Sequence, residues 1–134
     1  MTGKQDSRRK KFSDQLGELD ACAVSDALEK LGKTGTALGL SRMATTQRIV
    51  GPVRTVQLGR VSGSMPNRHL AVGAIESSEP GDVIIVANGG DCQPAAWGGL
   101  LTVASKQRGV VGVVVDGGLS TSNGQVNSLT VGLE

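Results

Sequence analysis

A glycine-opened helix feeding an apolar strand limits the folds open to this chain more than any other feature. The run Ala95-Ala96-Trp97-Gly98-Gly99-Leu100-Leu101 leads to Gly109-Val110-Val111-Gly112-Val113-Val114-Val115-Asp116-Gly117-Gly118. The first run opens a helix over roughly residues 97–108, and Val110 to Val115 form a buried strand ended by an Asp-Gly turn. Glycines at a helix start leave bare backbone N–H groups, which can hold a carboxylate or phosphate. The strand delivers its carboxy-terminal loop, Asp116 to Thr121, to a neighbouring place, so a small-molecule site is expected between the two segments.

Composition narrows the choice. A chain of 134 residues with 20 glycines and 38% hydrophobic content fits one α/β domain with many tight turns. Phe12 and Trp97 are the only aromatic residues, so the core must be built from Val, Leu, Ile and Ala. Two cysteines, Cys22 and Cys92, give neither a metal spacing nor a disulfide framework. With no apolar leader or membrane span in the sequence, a reducing cytoplasmic setting and no membrane partner are expected.

The net charge of +2 hides an asymmetry. Residues 1–11 hold five bases against one acid, and the rest holds nine bases against eleven acids. A basic tail on an acidic body could touch RNA or an acidic partner. Without aromatic residues to stack bases, a disordered, solubilising tail over residues 1–12 is the reading taken, with no nucleic-acid partner.

Along the body, Ser13 to Leu19 suggests a short helix. Val24 to Gly32 suggests another, capped by Ser25 and stopped by Gly32. A loop over 33–47 precedes a half-wet strand from Val53 to Leu58, with Pro52 at its beginning or on a sheet edge. His69 to Glu76 has helical spacing weakened by Gly73, and Glu79-Pro80-Gly81-Asp82 is a turn before a short buried strand, Val83 to Ala87. The loop Asn88 to Pro94 leads into the glycine-opened helix, and Val126 to Val131 form one weak strand.

The candidates for chemistry are few. The glycine-rich segment before the helix is neither a P-loop nor a dinucleotide fingerprint. His69 is the only histidine, which rules out a histidine-rich metal site and suits a capping or surface role. Asp82 belongs to its turn. Asp91 and Asp116 each follow a strand and enter the suspected crevice, although Asp is also common in turns. Trp97 either walls a pocket or fills core.

An ordered series of motifs then resembles a known family. It runs through Asp26-Ala27-Leu28, Leu31-Gly32, Val50-Gly51-Pro52, Thr55-Val56 and Pro80-Gly81-Asp82-Val83. It continues through Ala96-Trp97-Gly98-Gly99-Leu100-Leu101, Ala104, Arg108-Gly109-Val110 and Gly112-Val113-Val114-Val115-Asp116-Gly117. The chain resembles the RraA-like family of 4-hydroxy-4-methyl-2-oxoglutarate aldolases and regulators of ribonuclease E activity. The resemblance implies a swivelling β/β/α domain with a central β-sandwich or barrel-like sheet flanked by helices, assembled as a trimer or hexamer. It also implies a lyase, an aldolase or oxaloacetate decarboxylase, working on a small 2-oxo acid through a pyruvate enolate. A divalent metal, Mg²⁺ by expectation, would polarise the carbonyl. Gly98, Gly99, Leu100 and Leu101 would hold the substrate carboxylate.

The resemblance also marks departures. After the Asp-Gly turn the family carries an Arg-Asp pair, the Arg for substrate and the Asp for metal; here Ser120 and Thr121 stand in those places. A further acidic position of the family falls at Gly99. A hydroxyl cannot replace a guanidinium for bidentate carboxylate binding, and Thr121 is a poor stand-in for a carboxylate ligand. The expected function is therefore a 2-oxo-acid lyase scaffold with impaired chemistry and no confident catalytic residue. The alternative is a non-catalytic protein-binding regulator of RNA degradation. Both departures begin near Gly118, where a truncation or a shifted reading frame would leave the carboxy-terminal part incomplete relative to the family.

Overall fold

The apolar runs form the central strands of the fold, with most of their side chains buried. Val83–Ala87 (β2) and Gly112–Asp116 (β4) lie side by side in parallel, Val83 opposite Gly112 through Ala87 opposite Asp116. Val53–Gln57 (β1) pairs parallel to the other side of β2, from Val53 opposite Val83 to Gln57 opposite Ala87. The computed structural model describes residues 3–43, 47–60, 63–64, 68–91, 93, 95–121, 124–127 and 131–132, and side chains within 7–120 of these. Cys92, Pro94 and the Thr121 side chain lie outside that description. The chain divides into two compact units, Met1–Gly39 and Leu40–Glu134.

In the first unit the expected unordered tail is a helix, α1 (Gly3–Gly17), which absorbs the short helix placed at Ser13. Residues 4–16 contain neither Gly nor Pro, and Lys, Arg and Gln are good helix formers. The second helix, α2 (Ala21–Lys30), begins earlier than expected. Its N-cap is Asp20, whose Oδ1 accepts from Ala23 N at 2.7 Å, rather than Ser25. The Ser25 hydroxyl instead meets that of Thr36 at 3.2 Å. Gly32, with φ +63, follows the helix end in the left-handed conformation glycine favours.

The second unit holds two sheets. The four-stranded sheet has the order β1-β2-β4-β7, with β7 (Val131–Gly132) antiparallel to β4. The three-stranded sheet joins β3 (Ala95–Trp97), β5 (Gly118–Thr121) and β6 (Gly124–Asn127), with β3 parallel and β6 antiparallel to β5. The single weak strand expected over 126–131 is thus two short strands in different sheets, with 128–130 outside the described residues. Two helices complete the unit, α3 (Leu70–Ser77) and α4 (Gly99–Arg108). The α/β fold with helices beside its sheets is the architecture the sequence led us to expect.

The core is aliphatic with one large ring. Val56, Ala71, Ile75, Ile84, Val86, Val113, Val115 and Leu119 cluster with Trp97, which is 1% exposed. Burying side chains of this size stabilises the fold by about 1.5–3 kcal/mol each.

The amino-terminal ends of β1, β2 and β4 are fused by close backbone packing. A Cβ at Gly51 would collide with the carbonyl oxygen of Gly81. Gly81, at φ +92, donates its N–H to Gly109 O at 2.8 Å. Gly109 ends α4 at φ +82, where Val110 N and Gly109 N return to the carbonyls of Ser105 and Lys106. Asp82, 2% exposed, belongs to its turn as expected and does more. Its Oδ2 accepts from Arg54 Nε at 2.7 Å and from Glu79 N at 3.1 Å. Arg108 ties the ends of α3 and α4 together, donating to Ser78 O and Glu76 O at 2.8 and 3.0 Å.

Candidate functional site

The opposite, carboxy-terminal end of the parallel sheet carries the polar loops. Asn88 leaves β2 and donates its backbone N–H to Asp116 O at 3.0 Å, so the loops after β2 and β4 are joined at their start. Asn88 Nδ2 then donates to Asp91 O at 2.7 Å, and Gly118 N donates to the same carbonyl at 3.1 Å. Gly117, at φ +145, fits beneath this loop: a Cβ there would stand 2.7 Å from Asp91 O. The Asp91 carboxylate accepts from Gln93 N at 3.0 Å, which makes it a turn-former. The Asp116 carboxylate is exposed, and its Oδ1 would be 3.9 Å from a Cβ on Gly90.

The glycine-opened helix begins two residues later than the sequence pattern suggested, because Ala95–Trp97 is drawn into a strand beside β5. Gly98 is the N-cap, in extended conformation (φ −150, ψ 176), and supplies no side-chain cap. The amides of Gly99, Leu100 and Leu101 therefore open the helix without a side-chain acceptor from the cap position. Of the two roles open to Trp97 in the sequence, the structure gives it the core one. It lies in the core, and its indole Nε1 donates to Thr102 Oγ1 at 3.0 Å. The Thr102 hydroxyl in turn donates to Gly98 O at 3.1 Å, and Thr102 N reaches the same carbonyl at 3.1 Å. This relay fixes the first turn of α4 from below.

Ser120 faces that turn. It is exposed on β5, and its Cβ would be 4.0 Å from a Cβ on Gly98. Of the sequence-predicted residues, Gly98 and Ser120 are thus neighbours, and Asp91 and Asp116 belong to the loops joined on the strand segment leading into Ser120. Leu101 packs partly against the core, whereas Leu100 is 86% exposed beside the helix start. His69 sits elsewhere, as the exposed N-cap of α3 without a side-chain cap bond. Asn88 and Thr102 escaped sequence reasoning. Thr102 bonds back to a carbonyl four residues earlier, which looks the same in sequence as any helical threonine.

The donor set at this end does not suit a metal ion. Among the described residues no group of three or more His, Cys, Asp or Glu is placed to hold one. Asp91 and Asp116 are the two exposed carboxylates of the joined loops, and Asp91 Oδ1 already accepts from Gln93 N.

An α/β domain with a parallel sheet, a glycine-capped helix and polar loops at the sheet's carboxy-terminal end is the class that this fold and site define. The chain belongs to the RraA-like family: the family's sequence pattern, described as Aldolase/RraA, matches residues 21–120. It is 35% identical over 109 residues to a Halalkalibacterium halodurans protein named "Putative 4-hydroxy-4-methyl-2-oxoglutarate aldolase", covering 81% of this chain and 48% of that protein. It is 29% identical over 103 residues to protein DlpA of Legionella pneumophila, covering 77% of this chain and 17% of DlpA. The chain therefore spans about half the length of the first of these relatives and less of the second.

Solved structures agree on the fold. An uncharacterized protein from Pseudomonas syringae pv. tomato superposes with a TM-score of 0.69 at 30% identity, over 81% of this chain and 47% of that one. Streptomyces coelicolor RraAS2, described as an unusual member of the RNase ES inhibitor RraA protein family, gives 0.65 at 25% identity, over 91% and 61%. No helix among the described residues is long and apolar enough to cross a membrane.

Proposed function

We propose that this chain is a carboxylate-binding domain of the 2-oxo-acid lyase type whose lyase chemistry is impaired. One observation carries the reading: the start of α4, whose N-cap Gly98 supplies no side-chain cap, lies beside the neutral Ser120. The backbone amides of Gly99, Leu100 and Leu101 suit one carboxylate of a small 2-oxo acid, helped by the positive end of the helix dipole. The aldolase name of the Halalkalibacterium relative supports this substrate class. The Trp97–Thr102–Gly98 relay would hold the amides in place before a ligand arrives.

What the site lacks is charge. An enolate needs a cation or strong donors where negative charge develops. Ser120 offers a hydroxyl, and the Mg²⁺ that the resemblance implies finds no fitting donor set among the described residues.

Oxaloacetate decarboxylation measured with Mg²⁺ and with EDTA tests the reading, on the wild type and on Ser120→Arg/Thr121→Asp. The wild type should not exceed the rate of Mg²⁺ alone, and the double variant should gain EDTA-sensitive turnover of about tenfold or more. Metal-dependent turnover by the wild type would overturn the impairment. Oxalate, added to labelled protein, should shift the amide resonances of Gly99 to Leu101; unshifted resonances would remove the carboxylate cradle. A second reading, a non-catalytic protein-binding regulator, draws on the missing charges and on the likeness to RraAS2. Silence in both assays together with capture of an RNA-degradation protein would favour it.

A further inference from the structure

The basic run near the amino terminus forms the helix α1, and the family's sequence pattern begins after it, at residue 21. The helix holds Lys4, Arg8, Arg9, Lys10 and Lys11 against Asp6 and Asp14. At 3.6 residues per turn, positions 4, 8, 11, 12 and 15 share one face. That face carries Lys4, Arg8 and Lys11, together with Phe12 and Gln15, and no acid. Arg8, Lys11, Phe12 and Gln15 are exposed, whereas Arg9, Ser13 and Gly17, on the opposite side, are half-buried.

The expectation of no nucleic-acid partner rests on a loose tail without aromatic residues to stack bases, and the helix changes both premises. Phe12, one of the two aromatic residues of the chain, is 52% exposed among the bases of this face. The Arg8 guanidinium carbon lies 5.5 Å from the centre of the Phe12 ring. A contact of this kind uses the charge and leaves the guanidinium N–H donors available to an oxygen acceptor. Burying such a face against protein is costly unless acids stand opposite it. Lying in a membrane surface takes an apolar stripe, and Phe12 and Leu16 are the only large apolar residues of α1.

We propose that this face of α1 binds single-stranded nucleic acid without sequence preference. Its bases hold backbone phosphates, and Phe12 stacks on one nucleobase. Steps of four and three residues spread the three basic positions over about 10 Å of helix axis, in line to follow one strand. A duplex offers the phosphates but keeps its base faces stacked inside, so it leaves Phe12 without a partner. A single strand satisfies both kinds of group at once.

Fluorescence anisotropy tests the face, with the intact chain titrated into labelled RNA and DNA single strands of mixed sequence. Both strands should bind, and a fourfold rise in salt should weaken binding about twentyfold, the effect of neutralising three phosphates. Arg8→Gln/Lys11→Gln keeps good helix formers in place. It should lose about tenfold or more in affinity and about two-thirds of the salt dependence. Phe12→Ala should lose about fivefold with the salt dependence unchanged, which a contact through charge alone would not show. Lys30→Gln/Lys33→Gln removes two bases of the same unit outside α1 and should bind as the wild type does. A wild type that binds neither strand at low salt would overturn the proposal. So would folded glutamine variants at Arg8 and Lys11 with undiminished affinity, which decide the matter even if Phe12→Ala loosens α1. Tighter binding to a duplex would also overturn it, as would binding only to phosphatidylserine vesicles, which assigns the face to lipid headgroups.

Discussion

The two ends of the parallel sheet use the same residues for opposite purposes. At the amino-terminal end, Gly51, Gly81 and Gly109 let backbones touch, and Asp82 is buried against Arg54. At the carboxy-terminal end, Gly89, Gly90 and Gly117 turn the chain through positive φ, and Asp116 faces solvent. One end is closed by packing, and the other is left polar and open. Ligand crevices in open α/β sheets lie at the carboxyl ends of strands, and here that is also where uncommitted polar groups collect.

Substitutions at the two ends and beneath the candidate site would break or sharpen that contrast. Gly51→Ala carries the largest effect. Its methyl group would meet the carbonyl of Gly81, a residue whose N–H is tied to Gly109 O, so stability should fall by about 3 kcal/mol, measured by urea unfolding. A smaller loss from Gly51→Ala than from Gly117→Ala would mean that the closed end is the softer of the two.

The two aspartates give a matched pair. Asp82→Ala strands the Arg54 guanidinium and the Glu79 amide, and should cost about 2–3 kcal/mol, below the full penalty for a buried pair because Arg54 is 23% exposed. Asp116→Ala should change stability by less than about 0.5 kcal/mol. Equal losses at the two positions would erase the distinction between the ends.

The smallest effect lies beneath the candidate site. Thr102→Val leaves the Trp97 N–H and Gly98 carbonyl without the hydroxyl and should cost about 1 kcal/mol. It should also weaken oxalate binding at the start of α4, whereas Thr102→Ser should keep most of it. Oxalate affinity unchanged in Thr102→Val would separate the relay from the cradle.

Much of the fold was legible because apolar runs and turn residues are local signals. The strand Val83–Ala87, the turn before it and the strand ending at Asp116 needed no partner to be recognised. Short strands were not legible. Ala95–Trp97 and Gly118–Thr121 are too brief for a period and exist as strands because they pair with each other. Ser25 has the side chain of a cap, yet the helix takes the earlier Asp20 oxygen. At the candidate site, the glycine-opened helix and the replacement of charge by Ser120 and Thr121 were plain in the residues. The Trp97 assignment turned on burial, which one residue's identity does not decide.

The sequence by itself determined the aliphatic core, the buried strands, the glycine-opened helix and the family, because these rest on residue type and order along the chain. Only the tertiary structure decided that Arg54 closes on Asp82, 28 residues away, and that Ser120 stands at the mouth of α4. It alone set the order β1-β2-β4-β7 among the described strands. Those outcomes depend on which segments meet in space, and a contact between distant residues leaves no periodic trace in either of them.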